Sequence, residues 1–242
     1  MTYYDVDWSQ RFGFGWPRSL SGLRGVCIHT TENQPGTPAE NIAQYQINTE
    51  TGSYHVLVDS TGKRLRENTE DWATYSTGNQ GNNILVHLSF VFFAGASRAQ
   101  WLAQDKMLRA GATVVAHWCR TYKWPVKHVN VNGLPGITTH DATRVWGSTD
   151  HWDPGPNFPW DVFLRYVNEA MKPAAPAPAP TPEEDVMAAD LNTRIKVADG
   201  KEHRAQDLIK WTDERVYELT REGGRLDRLE AKIDRILDTK EK

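Results

Sequence analysis

The run KPAAPAPAPTPEED, which ends at Asp185, divides the chain before anything else about it is known. Alternating Ala and Pro fix the backbone near polyproline geometry and remove amide donors, so this stretch reads as an extended spacer without a core. It separates residues 1–172, with nearly all the aromatic residues and seven of the eight histidines, from residues 186–242, rich in charge and helix formers. The 242 residues, 39% hydrophobic with ten tryptophans, suffice for one full domain and something smaller.

The smaller part is predicted to be helical. Leu226, Leu229, Ile233 and Ile236 fall at heptad spacing, while Gly223 and Gly224 interrupt the pattern and imply two helical pieces. Two readings stand for residues 186–242: a helical hairpin that docks or frays, and a self-association or wall-targeting segment that would make the chain a homo-oligomer.

Composition narrows the partners. A formal net charge of −3 offers no bulk attraction to nucleic acid or to anionic membranes, so neither is expected as a partner. Cys27 and Cys119 are too few for a disulfide framework and are expected as free thiols. The amino-terminal MTYYDVDWSQRFGFGWPRS has neither the basic start nor the apolar stretch of a signal peptide, and no apolar run reaches the roughly 18 residues of a membrane span. The expectation is a protein made in the cytoplasm.

Within residues 1–172, RGVCIHTTE reads as a buried strand ending at His29. TPAENIAQYQINTE reads as a helix with Thr37 as cap, Pro38 in first position and Glu40 completing a capping box. SYHVLVDSTGKRLRE is a predicted hairpin turning at STGK, and NNILVHLSFVFF is a near-continuous apolar strand of the central kind. RAQWLAQDKMLRAGATVVAHWCRTYKW is predicted as one long helix, and PWDVFLRYVNEAMK as another that packs Phe163, Val167 and Met171 on one side. Interleaved strands and helices make the fold class α/β, with one mixed central sheet.

The histidines divide by position. His117 in the long helix and His128 on a predicted short strand read as structural, and His203 reads as exposed in the tail. His29, His140 and Asp153 each sit at the end of an element, where side chains can converge on a cleft. Three His or carboxylate ligands with a fourth position open is the donor set of a catalytic zinc, although no HExxH or CxxC pair is present and the residues alone leave the zinc reading and the structural one both open.

The segments IHTTE, SYHVLVD, NNILVHLSF and the closing THD and HWDPGPNFPW occur in an order that resembles the zinc-dependent N-acetylmuramoyl-L-alanine amidases of type 2, which are similar in fold to peptidoglycan recognition proteins. The resemblance covers roughly residues 20 to 170. It implies His29, His140 and Asp153 as ligands of Zn²⁺, peptidoglycan as substrate, and hydrolysis of the bond between the lactyl group of N-acetylmuramic acid and L-alanine. A metal with one position open polarises an amide carbonyl and acidifies water towards a pKa of about 7. The resemblance further implies Tyr54, which opens the second strand, as the residue that holds the water or the developing oxyanion.

Two positions depart from the family pattern. Lysine or threonine is common two residues before the last ligand, where this chain has His151. An imidazole there can serve the oxyanion or the leaving amine, and the expectation is an activity that falls at alkaline pH and is shifted upward by His151→Lys. Some relatives place a glutamate base in the central strand, where this chain has His87, and the residues do not decide whether His87 assists the water or packs. Cys27 shares a strand face with His29 and reads as a small hydrophobe.

A wall-directed amidase without a leader resembles a phage endolysin, which would collect in the host cytoplasm and reach the wall once the membrane is opened. The alternatives are a non-catalytic peptidoglycan-binding protein, against which Asp153 argues, and a cytoplasmic muropeptide-recycling amidase, which the Ala/Pro spacer fits less well.

Overall fold

The protein is described by a computed structural model covering residues 2–172 together with Arg194–Lys196 and Glu202–Arg204. Two units divide between Pro173 and Ala174. The first is a six-stranded mixed sheet flanked by helices, in the order β1-β5-β4-β7-β3-β8. Its strands are β1 (Val6–Asp7), β3 (Gly25–Thr30), β4 (Val56–Val58), β5 (Arg64–Arg66), β7 (Leu85–Phe90) and β8 (Gly136–Thr139), and β2 (Trp16–Pro17) pairs separately with β6 (Trp72–Ala73). The four strands β4, β7, β3 and β8 run parallel, whereas β4 and β5 form the antiparallel hairpin expected from SYHVLVDSTGKRLRE. The helices are α1 (Ala39–Thr49), α2 (Gly81–Ile84), α3 (Arg98–Leu102), α4 (Asp105–Tyr122), α5 (His140–Thr143) and α6 (Trp160–Met171).

Strand periodicity assigns the two faces. Val26 and Ile28 of β3, Val56 and Val58 of β4, and Val86, Leu88 and Phe90 of β7 are buried in one cluster with Met107, Val114 and Val115 of α4 and Phe163 and Val167 of α6. The alternate positions Cys27, His29, Leu57, His87 and Ser89 are buried on the opposite face. Leu57 and Leu65 there pack against Ala39 and Ala43 of α1. A fully buried β7 with His87 and Ser89 on one face is thus apolar on one side only.

Three expectations need correction. Helix α1 begins at Ala39 with Pro38 before it and no capping box: the Thr37 hydroxyl donates to the Gln34 carbonyl at 2.9 Å, and Glu40 pairs with Lys63 at 2.6 Å. The acceptor for the first helical amide comes from the hairpin instead, where Asp59 Oδ2 takes the Ala39 N–H at 3.2 Å while Oδ1 takes the Thr61 N–H at 2.9 Å. The predicted long helix is two, α3 and α4, because Gln104 leaves helical geometry (φ −93°, ψ 41°), and a capping box joining Ser97 and Gln100 starts α3. The break lets Trp101 turn into the core against Phe92 and Phe158, at ring distances of 4.7 and 4.9 Å.

The third correction concerns the tail. Residues 186–242 are not helical throughout, since β9 (Arg194–Lys196) and β10 (Glu202–Arg204) pair antiparallel. The heptad positions Leu226 to Ile236 lie outside the described residues. No described helix is long and apolar enough to cross a membrane.

Candidate active site

His29 lies near the carboxyl end of β3, and His140 is the first residue after β8, which pairs with β3 through Ile28 and Thr139. Adjacent parallel strands therefore deliver both imidazoles to one end of the sheet, the usual location of ligand sites in such folds. The Thr139 side chain accepts the Ala142 N–H at 3.0 Å and so starts α5 where His140 needs to turn inward. Asp153 arrives from the loop. Its carbonyl accepts the Asp141 N–H at 3.3 Å, and its Oδ2 accepts the Thr30 N–H at 3.3 Å, tying the loop to α5 and to the end of β3. Gly155 makes this approach feasible: its φ is +87°, and a Cβ there would lie 2.0 Å from the Ala94 carbonyl oxygen.

The three side chains meet. His29 Nδ1 lies 3.2 Å from His140 Nδ1 and 3.1 Å from Asp153 Oδ2, and His140 Nδ1 lies 3.1 Å from Asp153 Oδ1. All three residues are buried. Burial holds the His29 ring down to about 4, neutral against the opposing pull of Asp153. Burial alone would raise the Asp153 carboxyl, but hydrogen bonds from His140, His151 and His29 hold it well below the usual range.

Two imidazoles and a carboxylate with converging donor atoms form a set that can hold a divalent cation. Ligand bonds of about 2.0–2.2 Å in tetrahedral directions place ligand atoms about 3.3 Å apart, so the observed spacings fit zinc. Cys27, His29 and His87 also lie close together, but burial pushes the Cys27 thiol up, and Cys27 packs with Leu85, Val131 and Leu134 as the small hydrophobe expected.

Around this centre the expected helpers take distinct places. The Tyr54 ring stands 5.1 Å from that of His29, and burial followed by the Asp153 charge pushes its phenol up, leaving a neutral donor. Its backbone is gripped on both sides, the N–H by buried Glu67 Oε2 at 2.6 Å and the carbonyl by Asn68 Nδ2 at 2.8 Å. His151 stacks on His140 at 4.9 Å with its side chain 64% exposed, and Asp153, 3.7 Å away, raises its pKa. His87 does not point at the open side: its Nδ1 lies 3.0 Å from His29 Nε2, behind the centre. His117 stacks on Tyr3, and His128, in an isolated bridge to Ile137, stacks on Trp160, so both are structural as expected.

A cleft of about 780 Å³ opens from His140, His151 and Tyr54 towards Trp16, Tyr75 and Asn83. Sequence reasoning missed this wall and the Thr149 hydroxyl, which sits 3.0 Å from His140 Nε2. The exposed Trp16 (39%) and Tyr75 (42%) lie 5.9 Å apart and come from segments distant in sequence.

The family model described as N-acetylmuramoyl-L-alanine amidase matches residues 20–156, the span that carries every side chain of this centre. The chain belongs to that family. The amidase is similar in structure to the Staphylococcus aureus hydrolase AmiA in complex with its ligand, at 19% identity and a TM-score of 0.56, with 69% of this chain and 82% of that one covered. An AmpD derivative (14% identity, TM-score 0.49, 69% and 96% covered) and PlyL (19%, 0.48, 69% and 97%) are also similar. No curated protein sequence matches the amidase. The likeness to AmiA supports the fold, and the family model supports N-acetylmuramoyl-L-alanine amidase activity on peptidoglycan.

Proposed function

We propose that the amidase is a zinc enzyme of the endolysin type, which cuts the bond between the lactyl group of N-acetylmuramic acid and L-alanine in intact wall and so lyses a bacterial host. The observation that carries the metal reading is the convergence of His29, His140 and Asp153, with donor atoms 3.1–3.2 Å apart at the head of an open cleft. These three residues would hold the ion. When bound, Zn²⁺ supplies Lewis acidity towards the amide carbonyl and a source of nucleophilic water at neutral pH.

The chain's own groups do the rest. Tyr54 donates from its neutral phenol towards the oxygen that gains charge, and His151, on the solvent side, passes a proton to the departing amine of L-alanine. Trp16 and Tyr75 offer apolar faces along the cleft for the substrate, with the Asn83 side chain beside Trp16 at 2.9 Å. The endolysin role is supported by the Ala/Pro spacer and the appended residues 186–242, which a recycling enzyme for small muropeptides has less use for. On this reading the protein collects in the host cytoplasm until the membrane opens, and residues 186–242 self-associate to multiply weak wall contacts.

Release of new L-alanine amino termini from purified sacculi tests the reading. Release that stops on chelation, returns with Zn²⁺ and is absent in Asp153→Ala supports it. Cleavage of soluble muropeptides but not of sacculi would move the enzyme to recycling, and no release from zinc-loaded protein would leave a binding role. Sedimentation of the full chain and of a chain ending at Lys172 as equal monomers would remove the self-association.

A further inference from the structure

We infer that a second cavity, separated from the cleft by the loop that carries Asp153, is a further binding site of the amidase and takes an uncharged N-acetylated sugar of the glycan strand. The inference rests on peptidoglycan as the substrate and asks nothing of the metal centre.

The loop has two faces. Ser148 to His151 turn with His140 to the cleft, whereas Trp152 to Pro156 turn with Thr139 and Asp141 to a cavity of about 530 Å³. The two hollows share no lining residue. The chain passes from one to the other between His140 and Asp141 and again between His151 and Trp152, so the loop is the partition between them. Gly155 fixes that partition, because its close approach to the Ala94 carbonyl leaves no room for the loop to settle deeper. The cavity is thus preformed and of the usual size for a small-ligand site.

Its lining selects the occupant. Trp152 is 48% exposed although it precedes the buried Asp153, and an indole left open in a concave surface is a platform for a flat apolar face. Trp160 makes a second aromatic wall, held by a stack on His128 at 3.8 Å and 4°. Asn130 and Asp141 supply the polar groups. Asp141 gives Oδ1 to Arg144 at 3.1 Å, while its Oδ2 and the Asn130 amide make no side-chain hydrogen bond among the described residues. A pyranose ring presents C–H groups on its face and hydroxyl and acetamido groups at its edge, which suits an open indole beside a free amide and a free carboxylate oxygen.

Charge sets the stem peptide aside. No Lys or Arg lines the cavity and Asp141 brings a carboxylate to it, so a peptide carboxylate would meet like charge without a cation to receive it. An uncharged sugar meets no such opposition. The substrate is a polymer that continues past the bond being cut, and a sugar held across the loop would keep the strand in place during the reaction.

The test uses full-length protein with ¹⁵N-labelled tryptophan, titrated with triacetylchitotriose, an uncharged N-acetylated sugar that lacks the scissile bond. The indole N–H signals of Trp152, Trp160 and Trp16 are assigned by their loss in the single Trp→Phe variants. Saturable shifts are expected at Trp152 and Trp160 and not at Trp16, with a Kd raised on the order of 10-fold in Trp152→Ala and restored in Trp152→Tyr. Absence of a saturable shift at Trp152 overturns the inference, and shifts at Trp16 alone do the same by placing the sugar in the cleft. A tripeptide of L-alanine, γ-D-glutamate and L-lysine that moves Trp152 when the sugar does not also overturns it. Should Trp152→Ala fail to fold, the wild-type pattern of shifts still decides, and Asn130→Ala is expected to weaken the sugar as well. Sugar binding by a protein that releases no L-alanine termini supports the site and defeats the catalytic reading alone; cleavage of sacculi with Trp152 unmoved by the sugar defeats the site alone.

Discussion

A phenol and a glycine show how finely the centre is set. Tyr54 stands beside His29 with its backbone clamped by Glu67 and Asn68, so Tyr54→Phe removes the hydroxyl without moving the ring. If the phenol serves the developing charge, kcat falls on the order of 10²-fold with KM little changed; a change in KM alone would make the tyrosine an aromatic wall. Gly155 acts through space. Gly155→Ala meets the Ala94 carbonyl at a positive φ, and we expect a loss of more than about 1 kcal/mol in urea unfolding together with weaker Zn²⁺ binding, because Asp153 moves with its loop. Intact metal affinity in a destabilised Gly155→Ala would show that the loop and the carboxylate are independent.

Elements are joined here by side chains that lie far along the chain from the element they cap. Asp59 closes the β4–β5 turn through the N–H and hydroxyl of Thr61 and caps α1 through Ala39, and so fixes the helix against the hairpin. Asp59→Ala is expected to cost about 1–2 kcal/mol in equilibrium unfolding, and Thr37→Ala less than about 0.5 kcal/mol. The opposite ranking would restore Thr37 as the cap. Sequence favoured Thr37 because Thr, Pro and Glu at that spacing form a local signal, whereas the carboxylate that supplies the cap lies twenty residues downstream. The same limit shows at α3 and α4: helical periodicity runs through Gln104, but its backbone leaves helical geometry just after Trp101 packs into the core.

At the scale of the molecule, burying neutral histidines makes the fold sensitive to acid. His55 is fully buried beside Arg18, 2.7 Å from its Nε2, with His87 stacked at 5.5 Å; burial and then the Arg18 charge hold it well below its ordinary value. Unfolding releases it to titrate near 6.5, so the unfolded chain binds the additional proton. Its contribution is complete above that pH and is lost as pH falls below it, at about 1.4 kcal/mol per pH unit for each such group. The midpoint of thermal unfolding in metal-free protein should therefore drop between pH 7.5 and 5.0, and drop less steeply in His55→Gln. An unchanged midpoint across that range would mean that the buried rings ionise without cost.

Sequence alone determined the division at the Ala/Pro spacer, the α/β class and the hairpin, and it set His29, His140 and Asp153 at the ends of elements, with the ligand set itself implied by the family resemblance. Each follows from a local pattern or from ordered segments, which a chain displays before it folds. Tertiary structure decided what those residues see. His87 stands in a strand that reads as apolar, yet the two-residue period places it with Cys27 and His29 on the face away from α4, and only β3–β7 pairing brings its Nδ1 within 3.0 Å of His29. Trp16 and Tyr75 were ordinary aromatics in sequence and became a wall when β2 met β6. Protons, caps and clefts are set by distances between segments far apart in the chain, and those distances exist only once the sheet has closed.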